Sequence, residues 1–202
     1  MKIKICFAIF LSIFLFAFVR EQNIDIDLLK NINLSRNTSL DGTFRGITNS
    51  ASPVAYGIPV ILFGIGLVRK DSLAKQKSLY IGTSIITAAI VATIFKYGIN
   101  RPRPFITYPF LQNVGEGGSP SFPSGHTADA FALATSISIA YPKWYVIAPS
   151  YLWASAVAYS RMDLGVHYPS DVLEGIIIGS GSAFLCYKAN QWLLKRKAKQ
   201  YK

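Results

Sequence analysis

Acidic residues are scarce in this chain: 10 Asp and Glu stand against 21 Lys and Arg, and charged residues of either sign make up only 15% of 202. The resulting net charge of +11 invites a nucleic-acid reading, but such binders set a basic stripe among polar neighbours. Here the basic residues fall between apolar runs, which excludes a nucleic-acid partner. Cysteine is limited to Cys6 and Cys186. Both lie near run ends that the charge distribution assigns to the cytoplasmic, reducing side, so no disulfide is expected. Internal repeats, low-complexity tracts and long linkers are also missing, so a single domain over 1–202 is expected.

What the chain has instead is apolar sequence. Hydrophobic residues make up 51%, and a mean hydropathy of +0.32 is high for a soluble domain of this size. Six runs carry it: Ile5 to Val19, Ala51 to Val68, Leu79 to Phe95, Thr127 to Tyr141, Trp144 to Tyr159 and Val172 to Tyr187. Most fall within or close to the roughly 17 to 25 residues that span a bilayer. The expected fold is therefore all-α, an integral-membrane bundle of about six transmembrane helices. Residues 1–19 form its first helix or a signal peptide, 20–50 an amphipathic segment at the outer interface, and 51–188 the helical core. Phe16 to Arg20 lacks a small-x-small cleavage pattern, which favours a retained anchor.

Basic residues also orient the bundle. With a cytoplasmic amino terminus, 13 of the 21 Lys and Arg fall on inside segments, among them Arg69, Lys70, Lys75, Lys77 and Lys143. Both termini are then cytoplasmic in a multi-pass cell-membrane protein. The loops from Lys96 to His126 and from Ser160 to Asp171 face outward together, so residues distant in sequence can meet at one extracytoplasmic face.

Those two loops hold most of the polar residues that stand out. Pro123-Ser124-Gly125-His126 directly precedes an apolar run, so Ser124 is placed to cap a helix whose first amides point at anything anionic. Gly125 lets the backbone approach a phosphate. An ordinary Ser cap with a Gly turn would read the same way, but a His beside such a nest can protonate a leaving oxygen. Pro169 suits the first turn of the last helix, which places His167 just outside it and Asp171 inside. Such an Asp can accept the imidazole N–H and leave the other ring nitrogen free to attack phosphorus. Taken singly, His167 could be an interfacial side chain and Asp171 a residue complementing the helix dipole, worth about 0.3–1 kcal/mol. Lys96, Arg103 and Arg161 supply cations for phosphate oxygens. Alone, Lys96 would read as a snorkelling residue. Arg101 reads as a rim or headgroup contact, and Asn100 is unassigned.

Lys96, six residues, Arg103-Pro104; then Pro123-Ser124-Gly125-His126; then Ser160-Arg161, five residues, His167, three residues, Asp171: in this order the pattern resembles the three-part signature of the phosphatidic acid phosphatase type 2 superfamily. The resemblance implies metal-independent hydrolysis of a lipid phosphate monoester or pyrophosphate through a phosphohistidine. His167 would be the nucleophile, Asp171 its orienting partner and His126 the general acid. Lys96, Arg103, Arg161, Ser124 and the Gly125 amide would hold the phosphoryl oxygens. No cofactor and no metal are implied. The partners implied are a phosphorylated membrane lipid and the bilayer itself.

The same residues also serve haloperoxidases and soluble acid phosphatases, against which the six apolar runs argue. A non-enzymatic headgroup binder or transporter would need the cations but not a His-Asp pair beside a second His. Asp163 departs from the family pattern and is expected to face solvent, and the helix dipole suffices to explain Asp129. Undecaprenyl pyrophosphate, phosphatidylglycerophosphate, phosphatidic acid and phosphorylated lipid A all suit a site entered sideways from the membrane. The outward orientation favours the polyprenyl carrier or a lipid A phosphate. The stretch from Gly115 to Ser119 is a candidate for shaping access.

Overall fold

The computed structural model describes residues 24–115 and 117–200. The first apolar run (5–19), Cys6 and the question of cleavage lie outside the described residues. Within them the chain is helical, without strands: α1 (24–34), α2 (Asp41–Asn49), α3 (Ala51–Val68), α4 (Ser72–Ile99), α5 (Pro104–Thr107), α6 (Gly125–Ala140), α7 (Trp144–Asp163) and α8 (Pro169–Gln200). A 3-10 turn over Thr38–Leu40 leads into α2.

Each boundary that matters for the site has a local cause. Asp71 starts α4 by accepting from the amides of Leu73 and Ala74. Asn100 ends it in the left-handed conformation, at φ 51° and ψ 42°, which Asn tolerates better than most residues. The Arg101-Pro102-Arg103-Pro104 segment follows, and Pro104 opens the short α5 in the position where a missing N–H costs nothing. Pro169 opens α8 in the same way.

No residue of α6 is exposed, and its side chains from Thr127 to Leu133 are buried. A helix apolar on all sides belongs in the interior, and α3, α4, α7 and α8 surround this one. The closest approach is to α8, where a Cβ added at Gly179 would run into the Ala128 carbonyl and one at Gly175 would stand 2.7 Å from the Ser124 carbonyl. Glycine alone fits there without displacing backbone. The outer helices show large apolar side chains: Val60 and Ile61 on α3, Ile86, Ile90 and Ile94 on α4, Leu173, Ile177 and Leu185 on α8.

Among the described residues, three segments are long and apolar enough to cross a membrane: Thr38–Val68, Ser72–Thr107 and Pro169–Leu193. The predicted spans at 51–68, 79–95 and 172–187 fall inside them. The runs at 127–141 and 144–159 do form helices, α6 and α7, but do not meet that criterion. α6 is only 16 residues long. Composition reports that a helix avoids water; it does not report whether lipid or protein surrounds it.

Candidate active site

One end of the bundle gathers the polar residues. Lys96 comes from the end of α4, Arg103 from the start of α5, His126 from the start of α6, Arg161 from the end of α7, and His167 from the loop into α8. Together with Ser52, Gly117, Gly118, Ser119, Gly125 and Asp129 they line a cavity of about 360 Å³. Of the phosphate-binding residues expected from sequence, Lys96, Arg103, Gly125 and Arg161 line the cavity and Ser124 does not; of the expected catalytic residues His126 and His167 line it, and Asp171 stands behind His167.

Lys96 and Arg103 are held by backbone carbonyls. Lys96 Nζ donates to Pro120 O at 2.7 Å and Pro123 O at 3.1 Å. Arg103 is 5% exposed, with Nε donating to Ser119 O at 2.8 Å and Nη1 to Val166 O at 2.9 Å. Arg161 Nη1 donates to Thr48 Oγ1 at 2.6 Å, which ties α7 to α2. Carbonyl partners fix Lys96 and Arg103 without themselves carrying a negative charge, a good arrangement for an incoming anion. Gly117 lies so close to Arg103 that a Cβ there would meet the guanidinium at 2.7 Å. The Gly-rich stretch thus makes room for a cation as well as lining the cavity.

Ser124 occupies the N-cap position of α6 but does not cap with its side chain. Its hydroxyl pairs with Thr127 Oγ1 at 2.8 Å, while its amide donates to Asp171 O at 3.0 Å. The expected Ser cap is therefore corrected. Its physical cause is the competing Thr127 hydroxyl, and the first-turn amides of α6 are left without that side-chain partner.

His167 is 1% exposed. Its Nδ1 lies 3.4 Å from Asp171 Oδ2, and its Nε2 lies 3.5 Å from Arg103 Nη1. A guanidinium only donates and a carboxylate only accepts, so the ring proton belongs on Nδ1 and the Nε2 lone pair faces the cavity. Burial pushes the His167 pKa down to about 3; the charges of Arg161 and Arg103 push the same way, against the Asp171 carboxylate. The shift favours the neutral imidazole.

Asp171 is itself fully enclosed. Oδ2 accepts from Ser121 Oγ at 2.5 Å and from the Tyr168 amide at 3.0 Å. Oδ1 accepts from Arg101 Nη1 at 2.7 Å. Arg101 is therefore no rim contact: its guanidinium stacks over the Tyr168 ring at 3.7 Å and reaches Asp25 Oδ2 at 2.7 Å. Nothing in the local spacing of Arg101 or Asp25 signals this, because the pair is 76 residues apart.

Two other expectations change. Asp163 does not face solvent; it is 2% exposed and lies on the side of Arg36 and Asp41, away from the cavity lining. Its backbone carbonyl accepts from Asn33 Nδ2 at 2.8 Å, which docks α1. Asp129 is the single carboxylate among the described residues that line the cavity, and the Tyr56 hydroxyl donates to it at 3.5 Å. Its place in the cavity goes beyond complementing a helix dipole.

The family model of the PAP2 superfamily matches residues 77–195. The chain belongs to the PAP2 superfamily. This PAP2 chain is 29% identical over 178 residues to an undecaprenyl-diphosphatase of Sulfolobus acidocaldarius, a match covering 87% of this chain and 84% of that protein. Its fold is similar to the crystal structure of Aquifex aeolicus LpxE, with a TM-score of 0.72 and 29% identity over 82% of this chain and 95% of the other. It is also similar to a transmembrane PAP2-type phosphatidylglycerolphosphate phosphatase from Bacillus subtilis. There the TM-score is 0.69 and the identity 27%, over 90% and 95% of the two chains.

Proposed function

We propose that this PAP2 protein is a lipid phosphate phosphatase that removes a terminal phosphate from a membrane lipid through a phosphohistidine on His167. The observation carrying the proposal is the neutral His167, with Nε2 turned to a cavity that also holds Lys96, Arg103 and Arg161. A pure anion binder gains nothing from a buried imidazole fixed in one tautomer by a carboxylate.

The chemistry follows from the geometry. The phosphoryl group binds between Lys96, Arg103, Arg161 and the first-turn amides of α6 beside Gly125, which stabilise the charge that builds on its oxygens. His167 Nε2 attacks phosphorus, the bond to the leaving oxygen breaks, and His126 gives that oxygen a proton. Burial and the charges of Arg161, Arg103 and Lys96 push the His126 pKa down to about 4, and the negative charge of the bound phosphate raises it so that the ring carries the proton. Asp171 supports the imidazolium as it forms, so its 3.4 Å contact, long in the empty site, gains strength when charge develops. Water then attacks phosphorus, His126 takes its proton, the P–N bond breaks and inorganic phosphate leaves. No step in this scheme calls for a metal.

The lipid reading draws on the apolar outer faces and on a second cavity of about 360 Å³ between α3 and α4, lined by Tyr56, Pro59, Val60, Phe63, Leu79 and Ile86. Tyr56 joins the two cavities through its bond to Asp129. A headgroup held in the polar cavity and a tail lying along α3 and α4 fit that arrangement. The Lys and Arg distribution supports a site on the outer face with both termini cytoplasmic.

Phosphate release by the purified protein, measured on undecaprenyl diphosphate, phosphatidylglycerophosphate, phosphatidic acid and lipid A, tests the proposal. Turnover of at least one lipid that vanishes in His167→Ala is expected. Turnover that survives in His167→Ala would overturn the mechanism.

A further inference from the structure

We infer that Arg101 and Asp25 are positioning residues for the reaction, holding Asp171 at the angle His167 needs and making helix α1 a working part of the site. The inference rests on the reading of His167 as nucleophile and Asp171 as its partner.

Arg101 bridges two buried carboxylates. Nη1 donates to Asp171 Oδ1 at 2.7 Å and Nη2 to Asp25 Oδ2 at 2.7 Å. The guanidinium plane is fixed by the Tyr168 ring beneath it. Asp25 then grips the start of α8 independently: Oδ1 accepts from the Ser170 amide at 2.8 Å, and Oδ2 accepts from the Ser170 hydroxyl. Arg101 closes the loop by donating to that same hydroxyl at 2.7 Å. Ser170, which precedes Asp171, and the outer oxygen of Asp171 are thus both fastened to α1, the first by Asp25 and the second through Arg101.

None of these groups lines the phosphate cavity. Their effect is on Asp171. A carboxylate whose Oδ1 is occupied by a guanidinium presents only Oδ2 to the imidazole, and cannot rotate without breaking a short charge-assisted pair. The positive charge also restrains the carboxylate's pull on the His167 proton. His167 is faced by Asp171 from α8, by Arg161 from α7, and by Arg103 from the start of α5, with Lys96 and His126 across the cavity. Removing Arg101 leaves Asp171 less compensated, so the imidazole gains a proton more readily and the acid limb of the rate moves to higher pH. A variant that merely loosened the fold would lower the rate without moving that limb.

Helix α1 is anchored for this task. Asn33 donates to Gln112 O and Asp163 O and accepts from the Gln112 amide, and Leu29 is fully buried against Leu111 and Tyr168. The helix that delivers Asp25 is docked on the loops carrying the site.

The test uses the full-length protein in detergent, reading kcat and KM for phosphate release from undecaprenyl diphosphate and phosphatidic acid, with orthovanadate binding as a check on the cavity. Arg101→Ala is expected to lower kcat about a hundredfold, the scale of a misplaced catalytic group, with KM and vanadate affinity within about twofold and the acid limb shifted upward. Arg101→Lys, which keeps the charge, should restore the limb's position, and Asp25→Asn should lower kcat about tenfold through the same misplacement. Because Asp25 acts through Arg101, the double variant should be no worse than Arg101→Ala. Should Arg101→Ala fail to fold, the Lys and Asn variants carry the same test. Unchanged kcat, a loss shared equally with vanadate affinity, or additive losses in the double variant would overturn the inference. If His167→Ala retained turnover, the nucleophile reading would fail instead, whatever Arg101 did.

Discussion

The front of the site and the layer behind it are built by opposite rules. In front, Lys96 and Arg103 are held by backbone carbonyls, which leave their charge for a ligand, and Arg161 is tied to Thr48. Behind, Arg101 is matched by Asp25 and Asp171 in buried ion pairs. Lys96 and Arg103, which line the cavity, are positioned without a carboxylate partner among the described residues, and Arg101, which holds the Asp171 carboxylate behind His167, is neutralised on both sides. The comparison separates two kinds of failure: loss of the front should remove binding and transition-state stabilisation, and loss of the back should misplace groups that remain present.

The largest effect expected is at His167. His167→Ala should lower phosphate release by about four orders of magnitude or more, leaving only what binding and charge stabilisation provide, as read in single-turnover assays. Arg103→Ala comes next, with kcat down about a hundred- to a thousandfold, the usual cost of one transition-state donor. His126→Ala sharpens the comparison by chemistry. Its loss should be severe for a lipid alcohol leaving group and mild for an aryl phosphate that departs without a proton, so the ratio of the two rates is the readout.

A stability change probes the back layer without touching the chemistry. Asn33→Ala strands the Gln112 amide and the Gln112 and Asp163 carbonyls, at a cost of about 1–3 kcal/mol, seen as a lower melting temperature. The smallest effect is expected at Asp129. A carboxylate in the cavity opposes a second phosphate on the leaving side, so Asp129→Asn should favour diphosphate over monophosphate lipids by about tenfold or less, measured as a ratio of kcat/KM. For pH dependence, the depressed His167 pKa of about 3 keeps the nucleophile neutral at every higher pH. A rate loss as pH falls from 7 to 6 in the unmodified protein should then persist in Arg101→Lys, since it belongs to protonation of the substrate phosphate.

The same division explains what could be read from sequence. Front residues were legible because helix ends fix them locally: Asn100 stops α4 just after Lys96, the α6 start carries Gly125 and His126, and Pro169 sets His167 against Asp171 at a spacing of four. Back residues were illegible because their partners are 50 to 145 residues away, as Ser121 is from Asp171 and Asp25 from Ser170. Asp163 was misread for a related reason: a lone acid beside a polar motif looks solvated until α1 and Arg36 are folded over it. The helices themselves were legible as apolar runs. That α6 is sheathed by protein was not, since apolar sequence is the same signal for either neighbour.

The central claim, covalent catalysis by His167, is tested most directly by acid–base stability and site mapping of a trapped phosphoenzyme. Protein mixed with terminally 32P-labelled undecaprenyl diphosphate or phosphatidic acid, then quenched within milliseconds, should carry an acid-labile, alkali-stable label that maps to the peptide holding His167 and is absent from His167→Ala. Label on any other residue, or steady turnover with no label at any quench time, would contradict the account.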